Sequence, residues 1–391
     1  MTESALRIGI DISTLLNHGP DIGAGRYIIN LVRSLLNIDK KNTYVLTGRY
    51  SITDYLETIY SLNKEFPDRR IELKFFNASQ KKLDLWNRFK FPPLELRGFK
   101  ADILHCPDYL IPPTLNSNII LTIHDLAFMR YPEFNFDWFI KKYTREVQKN
   151  VRAAKMIIAD SLSTKNDIIE FFKINPSKVE VIYLAADKIF KRLSENEKDK
   201  NVLKKYKINK KYILSVGTIE PRKNFIALIK AFNLIKKKDA SFDYKLVIVG
   251  RTGWKSEATY AEKNNSPYTE DILFTGRVPD EDLVQIYNQA ELFAYPSLFE
   301  GFGLPPLEAM SCGLPVIASG TSSLKEVIGD AGILVKAGDE NELGNKILSI
   351  IKNMEIKEKL KEKSLAQVKK FSWGETAQKT INLYYKTISS G

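Results

Sequence analysis

Short apolar segments alternate with amphipathic ones in two successive series, and this alternation limits the fold of the chain more than any other feature. The first series begins at Arg7 with RIGIDIS and ends with VEVIYL at Val179, and the second runs from YILSVGT at Tyr212 to GILVK at Gly332. Strands that alternate with helices form mainly parallel sheets covered by helices. The sequence therefore predicts an α/β fold with two doubly wound, Rossmann-like domains.

The domain boundaries follow from where the alternation stops. A chain of 391 residues is longer than one hydrophobic core usually supports, and the polar stretch over residues 190–208 predicts a linker. We expect an N-terminal domain over residues 1–190 and a C-terminal domain over 209–370. Residues 371–391 predict an amphipathic helix that crosses back to the N-terminal domain. The carboxyl ends of two facing parallel sheets would surround an interdomain cleft.

Charge and cysteine content narrow the class of protein. The net charge of +12 indicates attraction to anions without choosing among them. Nucleic acid is not the expected partner, because the cations are dispersed and no zinc-finger or RNA-binding motif occurs. Cys106 and Cys312 cannot form a disulfide framework, and we interpret both as reduced packing residues. No apolar run of 18 residues and no signal-peptide pattern is found, so we expect a cytoplasmic protein.

Two local clusters of cations have two interpretations each. Lys141, Arg145, Lys149 and Arg152 repeat at helical spacing, and residues 81–100 interleave aromatic side chains with cations. Either cluster could rest on an anionic membrane surface, which would place the protein peripherally at the inner face of the plasma membrane. A solvated helix face and an ordinary loop beside the core are equal alternatives.

The stretch EGFGLPPLEAMSCGLPVIAS, which begins at Glu300, places two carboxylates eight positions apart around a turn from strand to helix. Its proline pair suits the first turn of a helix, whose N-terminus favours phosphate. Gly301 and Gly303 would let the backbone approach a ligand closely. Glu300 and Glu308 can each accept hydrogen bonds from vicinal hydroxyls of a sugar or a ribose. For either glutamate alone, a capping or solvated side chain is the ordinary alternative.

A second motif, SVGTIEPRKN, places two cations near the start of a helix. Gly217 ends the preceding strand, and Arg222 and Lys223 follow in the turn. Cations beside the positive end of a helix are explained if an anion such as a diphosphate binds there. Two solvated surface cations are the alternative.

These two motifs carry a resemblance to a known family. EGFGLPPLE resembles the E-x7-E motif of retaining glycosyltransferases of family 4, which have the GT-B architecture. GTIEPRKNFIALIKAF, ILFTGRVPDEDLVQIYNQAELFAYPS and SWGETA are also similar to the family in order and spacing. The resemblance implies that Arg222 and Lys223 bind the donor diphosphate, Glu300 contacts the transferred sugar and Glu308 contacts the ribose. Many members carry an arginine directly after the strand glycine, where this chain has Thr218.

The resemblance also implies roles in the first half of the chain. GAGRY, with Gly23, Gly25 and Arg26, is similar to the glycine-rich loop that the family uses near the donor phosphate and the acceptor. By itself this loop is equally well a tight turn. His124 and Asp125 follow an apolar strand and resemble the His-Asp pair of the mannosyltransferase-like branch. We expect His124 to contact the transferred sugar, and Arg26 and Asp125 to lie on the acceptor side.

The remaining site residues are expected to bind the donor, several of them through their backbone. The full set of donor-binding candidates is Gly23, Gly25, Gly217, Arg277, Val278, Gly301, Phe302, Gly303, Leu304 and Glu308. Arg222, Lys223, Glu300 and His124 are the catalytic candidates. No metal or other cofactor is expected. The run Asp280-Glu281-Asp282 superficially resembles a metal-binding DxD, but it follows Pro279 and opens a helix, so we expect it to cap that helix.

The expected function is transfer of a hexose, with retention, from a nucleotide sugar to a glycan or lipid-linked saccharide acceptor in polysaccharide biosynthesis. The resemblance of the His-Asp pair favours mannose from GDP-mannose. A UDP-glucose-type donor, and a nucleotide-sugar epimerase or phosphorylase of the same architecture, are the alternatives. A glycan-binding protein without activity is a further alternative, but it would give the pair Glu300 and Glu308 no function.

Overall fold

The computed structural model describes residues 4–20 and 22–389, which form two compact units. The described part of unit 1 falls within Met1–Arg130, Phe136–Leu184 and Ser372–Gly391, and unit 2 comprises Tyr131–Asn135 and Ala185–Phe371. Asp21, in the loop expected near the donor, lies outside the described residues.

Unit 1 is built on a parallel sheet with the strand order β3-β2-β1-β4-β5-β6-β7. The central strands are buried along almost their whole length, because both of their faces are covered by helices. The strands are β1 (Arg7–Asp11), β2 (Thr43–Tyr50), β3 (Ile71–Asn77), β4 (Ile103–Cys106), β5 (Ile119–Ile123), β6 (Met156–Ala159) and β7 (Val179–Val181). The helices are α1 (Ser13–His18), α2 (Gly23–Ile38), α3 (Leu56–Glu65), α4 (Gln80–Phe89), α5 (Ala127–Arg130), α6 (Asp137–Ala153) and α7 (Leu162–Phe172).

Unit 2 repeats the design with a parallel sheet in the order β10-β9-β8-β11-β12-β13. Its strands are β8 (Tyr212–Val216), β9 (Lys245–Val249), β10 (Ile272–Gly276), β11 (Leu292–Tyr295), β12 (Val316–Ser319) and β13 (Ile333–Val335). Its helices are α8 (Lys200–Lys205), α9 (Phe225–Lys238), α10 (Glu257–Asn264), α11 (Asp280–Gln289), α12 (Leu304–Ser311), α13 (Leu324–Ile328), α14 (Glu340–Lys352) and α15 (Met354–Val368). The prediction of two doubly wound α/β sheets is confirmed.

The C-terminal helix α16 (Trp373–Ser389) belongs to unit 1 and packs against α2. Trp373, Ala377, Ile381 and Tyr384 are buried along one side, as the apolar spacing predicted. The Tyr384 hydroxyl lies 2.8 Å from Nδ1 of the buried His105. Among the described helices, none is both long and apolar enough to cross a membrane.

The stretch predicted as a linker is packed on unit 2. Phe190, Leu193 and Ile208 in this stretch are buried, and Phe190 and Ile208 join the core cluster that includes strand residues of β8 and β12. Its apolar residues are too widely spaced to show a helical or strand period, which is why the sequence pattern indicated a polar connection.

The loop after β1 also differs from expectation. Helix α1 occupies residues 13–18, and α2 begins at Gly23, so Gly23, Gly25 and Arg26 lie in the first turn of a helix and not in a loop. A Cβ on Gly25 would stand 1.8 Å from the carbonyl oxygen of Gly19, which explains the glycine at this position by close backbone approach.

Candidate active site

The carboxyl ends of β8 and β11 carry a buried cluster of charged side chains. These strands are neighbours in the sheet of unit 2, so the segments that follow them meet. After β8, the residues Pro221–Lys223 form a 3-10 turn, and after β11 the chain continues into the loop 296–303. The amide of Leu298 donates to the carbonyl of Arg222 at 2.9 Å and joins the two segments.

Glu300 is the centre of this cluster and is 6% exposed. Its Oε1 accepts hydrogen bonds from Lys223 Nζ at 2.6 Å, from the Ser297 hydroxyl at 2.6 Å and from the Tyr295 hydroxyl at 2.9 Å. Its Oε2 accepts from Arg222 Nη1 at 2.9 Å. Burial opposes ionisation of this carboxyl, but the charges of Arg222 and Lys223 outweigh it and lower the pKa of Glu300 to about 2. Glu300 is therefore a fixed carboxylate.

The two cations are both paired with Glu300, and Arg222 is also paired with Glu220. Lys223 is 7% exposed and also donates to the Tyr295 hydroxyl at 2.7 Å. Burial, and then the charge of Arg222, lower the pKa of Lys223, while the nearby carboxylates oppose that shift. Arg222 Nη2 donates to Glu220 Oε1 at 2.7 Å, and Glu220 is 2% exposed. The charges of two cations and two carboxylates therefore cancel in a site that is almost inaccessible to water.

The loop that carries Glu300 is fixed by two serines after β12. The backbone amide of Glu300 donates to the Ser322 hydroxyl at 2.8 Å. The buried Ser323 hydroxyl lies 2.9 Å from the carbonyl oxygen of Glu300 and 2.8 Å from that of Phe302. The Phe302 ring packs edge to face on Phe371. The carboxylate is therefore positioned by backbone contacts as well as by its charged partners.

Helix α12 begins directly after this loop. Gly303 adopts φ +108° at its N-cap, a conformation that favours glycine, and Leu304 opens the helix with prolines in its first turn. Gly301 is buried with the rest of the loop. Glu308 is 3% exposed inside α12, where its Oε2 accepts a hydrogen bond from the Tyr287 hydroxyl at 3.0 Å. A tyrosine of α11 thus orients the second carboxylate.

The other donor-binding candidates of unit 2 lie at the carboxyl ends of β8 and β10, which are separated in the sheet by β9. Gly217 follows β8, and a Cβ there would be in ordinary van der Waals contact with Lys223 Cε at 3.4 Å. Gly276 ends β10 with φ +73°. Arg277 is exposed, whereas Val278 packs into the core, so only the backbone of Val278 remains for a ligand.

In unit 1, His124 follows β5 and forms a buried ion pair. Its Nδ1 lies 2.6 Å from Asp160 Oδ2, and its Nε2 lies 3.1 Å from the carbonyl oxygen of Pro107. Both acceptors lack a proton, so both ring nitrogens donate. Burial alone would lower the pKa of His124, but the charge of Asp160 raises it to about 9. The Tyr27 ring packs edge-on at 4.9 Å. That His124 contacts a sugar stays a prediction, and such a contact would have to open one of its two hydrogen bonds.

The two acceptor-side candidates have local partners in unit 1. Asp125 Oδ1 accepts from the backbone amide of Ala127 at 2.9 Å and so orders the start of α5. The amide of Arg26 donates to the carbonyl of Ile22 at 2.8 Å as α2 begins. Their roles toward an acceptor stay predictions.

The expectation that Asp280, Glu281 or Asp282 caps α11 is wrong. Pro279 is the N-cap and no side chain caps the helix, because the three acids already lie inside its first turn. There they interact favourably with the helix dipole. Asp282 also accepts from the Lys205 ammonium and the Tyr206 hydroxyl. Within the part of the chain that the structure describes, no group of three or more His, Cys, Asp and Glu side chains could hold a metal ion.

Five residues of the Glu300 cluster were not identified from the sequence. They are Glu220, Tyr295, Ser297, Ser322 and Ser323. Two of these residues, Tyr295 and Ser297, could have been found from the sequence, because they are polar groups at the carboxyl end of an otherwise apolar strand. The serines after β12 gave no such signal.

Comparison with known proteins decides the family. The model of Glycosyltransferase Family 4 matches residues 22–188, and the model of Glycosyl transferases group 1 matches residues 195–367. The O-antigen chain mannosyltransferase B of Escherichia coli is 31% identical over 369 residues, which cover 93% of this chain and 96% of that protein. This chain belongs to glycosyltransferase family 4.

Two further proteins are similar to this glycosyltransferase, one in sequence and one in structure. The serotype-specific mannosyltransferase WbdA of Escherichia coli is 33% identical over 244 residues, which cover 61% of this chain and 29% of WbdA. The crystal structure of Anabaena HepE in complex with UDP and glucose superposes with a TM-score of 0.75 at 17% identity, covering 97% of this chain and 100% of HepE. The glycosyltransferase therefore has the GT-B fold.

Proposed function

We propose that this glycosyltransferase is a retaining mannosyltransferase that uses GDP-mannose and acts, without a metal ion, on a glycan or lipid-linked saccharide in polysaccharide biosynthesis. The choice of mannose is supported by two relatives that are named as mannosyltransferases, one of them for the O-antigen chain. The transfer chemistry is supported above all by the buried cluster around Glu300.

The donor diphosphate would be held by Arg222 and Lys223. A guanidinium offers a planar fork and an ammonium a point charge, and both suit phosphate oxygens. Their positions are set in advance by Glu220, Glu300 and Tyr295, so they need little reorganisation as charge develops on the leaving diphosphate. These two cations would supply the charge stabilisation that a metal ion supplies in other transferases.

Retention would follow from a reaction on one face of the sugar. The bond from the anomeric carbon to the diphosphate oxygen breaks, the bond to the acceptor oxygen forms, and the acceptor proton passes to the departing phosphate. Glu300 is unsuited to act as a nucleophile, because its oxygens accept four hydrogen bonds and its pKa is held near 2. Its proposed tasks are to orient Lys223 and to contact the sugar.

Glu308 would bind the ribose of the donor nucleoside. It is a buried carboxylate in the middle of α12, and the Tyr287 hydroxyl fixes its orientation. The positive end of the dipole of the same helix would favour the diphosphate, although the two prolines of its first turn have no amide hydrogen to donate. The ribose and the diphosphate would then be bound by consecutive parts of one loop and helix.

The direct test is a donor panel. Purified protein is incubated with GDP-mannose, GDP-glucose, UDP-glucose and UDP-galactose in the presence of a lipid-linked saccharide extract, and nucleotide release and sugar incorporation are both measured. We expect incorporation with GDP-mannose and an α-mannoside by the one-bond carbon–hydrogen coupling at the anomeric centre. Incorporation only from a UDP-sugar would refute the donor assignment, and a β-mannoside would refute retention.

A further inference from the structure

One surface of unit 1, formed by three neighbouring segments, is both apolar and basic. The segments are α4 with the following residues 90–93, the 3-10 turn Leu94–Arg97, and residues 110–115. The Leu94 amide donates to the Pro113 carbonyl at 2.9 Å, and Glu95 accepts from the Thr114 hydroxyl and the Leu115 amide. Lys90 Nζ donates to the Ile111 carbonyl at 3.3 Å. These contacts make one continuous surface, called here the basic-apolar face.

The apolar side chains of this face are not needed by the core. Helix α4 buries Leu83 and Trp86 on its inner side, while Leu85 and Phe89, one turn apart, stand outward. The exposed fractions are 51% for Leu85, 68% for Phe89, 67% for Phe91, 67% for Leu96 and 72% for Leu115. A soluble monomer rarely exposes so many large apolar side chains in one place without a partner.

Cations surround these apolar side chains. Residues 80–100 contain two carboxylates, of which Glu95 is already bonded within the face. The same residues contain six cations, namely Lys81, Lys82, Arg88, Lys90, Arg97 and Lys100. Arg97 lies over the Trp86 ring at 4.6 Å, which keeps its charge at the surface beside the apolar residues. The face therefore matches a partner that is negatively charged and has an apolar layer just beneath its charge.

We propose that the basic-apolar face docks on an anionic phospholipid bilayer. Phenylalanine and leucine side chains would enter the boundary between headgroups and acyl chains, and the long cationic side chains would reach the lipid phosphates. A bilayer fits better than a folded protein, because the apolar side chains are interspersed with cations along the chain and would enter a fluid layer beneath the lipid phosphates. The docking does not depend on which donor the enzyme uses.

The test is co-sedimentation of the full chain with vesicles. Vesicles of phosphatidylcholine alone are compared with vesicles containing about one third phosphatidylglycerol. We expect binding to the anionic vesicles only, weakened in high salt. The variant F89S/F91S should bind at least about tenfold more weakly, since it removes two inserted rings. K81E/K82E should also bind at least about tenfold more weakly, since each charge at the surface contributes separately.

Matched controls separate docking from general effects of charge or exposure. I52S/M354S removes two apolar side chains that are 83% and 67% exposed outside the face, and K346E/K359E changes the net charge equally on unit 2. Both should bind like the wild type, and all four variants should keep its thermal unfolding midpoint.

The proposal is overturned if the wild type does not bind anionic vesicles or binds neutral ones equally well. It is also overturned if F89S/F91S binds like the wild type, or if a control loses as much binding as the face variants. Tight binding to duplex DNA that K81E/K82E weakens, without vesicle binding, would assign the face to nucleic acid and refute docking on lipid.

Discussion

The ion pair of His124 and Asp160 makes the stability of unit 1 depend on pH. The pKa of His124 is about 9 in the folded chain, against an ordinary value of 6.5, because the buried Asp160 carboxylate lies 2.6 Å away. A histidine whose pKa rises on folding contributes stability that is fully present below pH 6.5 and is lost as the pH rises through about 9. At about 1.4 kcal/mol for each pKa unit, the contribution near pH 6 is about 3 kcal/mol.

This value is an upper estimate, because burial raises the pKa of Asp160 and so penalises its charged form. Asp160→Asn keeps an acceptor for Nδ1 but removes the charge. We expect this variant to unfold at lower urea concentration than the wild type near pH 6, with a difference in unfolding free energy of about 2 to 3 kcal/mol. The difference should shrink as the pH rises through about 9, because His124 then loses its proton in the wild type as well.

Urea unfolding followed by tryptophan fluorescence at a series of pH values measures this difference. Asp68→Asn, at an exposed site of unit 1, is the control and should follow the wild type at every pH. A difference for Asp160→Asn that stays constant with pH would refute the assignment of a charged His124. Wild-type stability of Asp160→Asn near pH 6 would refute it as well.

Three further predictions concern the donor site. Glu308→Ala should weaken binding of free GDP by about tenfold in calorimetry, as the loss of a ribose contact implies, and unchanged affinity beside the exposed control Glu281→Ala would remove that role. Ser323→Ala should cost about 1 to 3 kcal/mol of stability in urea unfolding, because the buried carbonyls of Glu300 and Phe302 lose the single hydroxyl donor that they share, and a neutral result would show that the loop does not depend on it. Excess chelator should leave sugar transfer unchanged, whereas loss of transfer that magnesium restores would contradict a metal-independent reaction.

Most strands were predictable because they are mainly apolar runs bounded by polar or glycine-rich residues, although β3 includes Glu72 and Lys74. Helix α1 was missed, since STLLNH is too short to show a helical period. The first turn of α2 was interpreted as a loop, because Gly23 and Gly25 are typical turn residues. In fact the missing Cβ of Gly25 serves a close approach to Gly19 within the folded unit, which no local pattern reveals.

The candidate site was predictable as a set of residues but not as a set of contacts. Spacing and resemblance identified Arg222, Lys223 and Glu300, and an anion was expected to explain the cations. The structure pairs these cations with carboxylates of the same unit, because β8 and β11 are adjacent although far apart in sequence. Asp160, the partner of His124, lies at the end of another strand. No sequence pattern indicated that these two side chains would pair.

The most direct measurement of the central claim is the turnover of Lys223→Ala with GDP-mannose. If Lys223 stabilises charge on the departing diphosphate, turnover should fall by about two to three powers of ten. Because the substitution leaves Glu300 buried beside one cation fewer, the double variant K223A/E300Q is measured in parallel. We expect the double variant to regain stability in urea unfolding but to stay as slow as Lys223→Ala. Near-normal turnover of folded Lys223→Ala, or recovery of turnover in the double variant, would contradict the account.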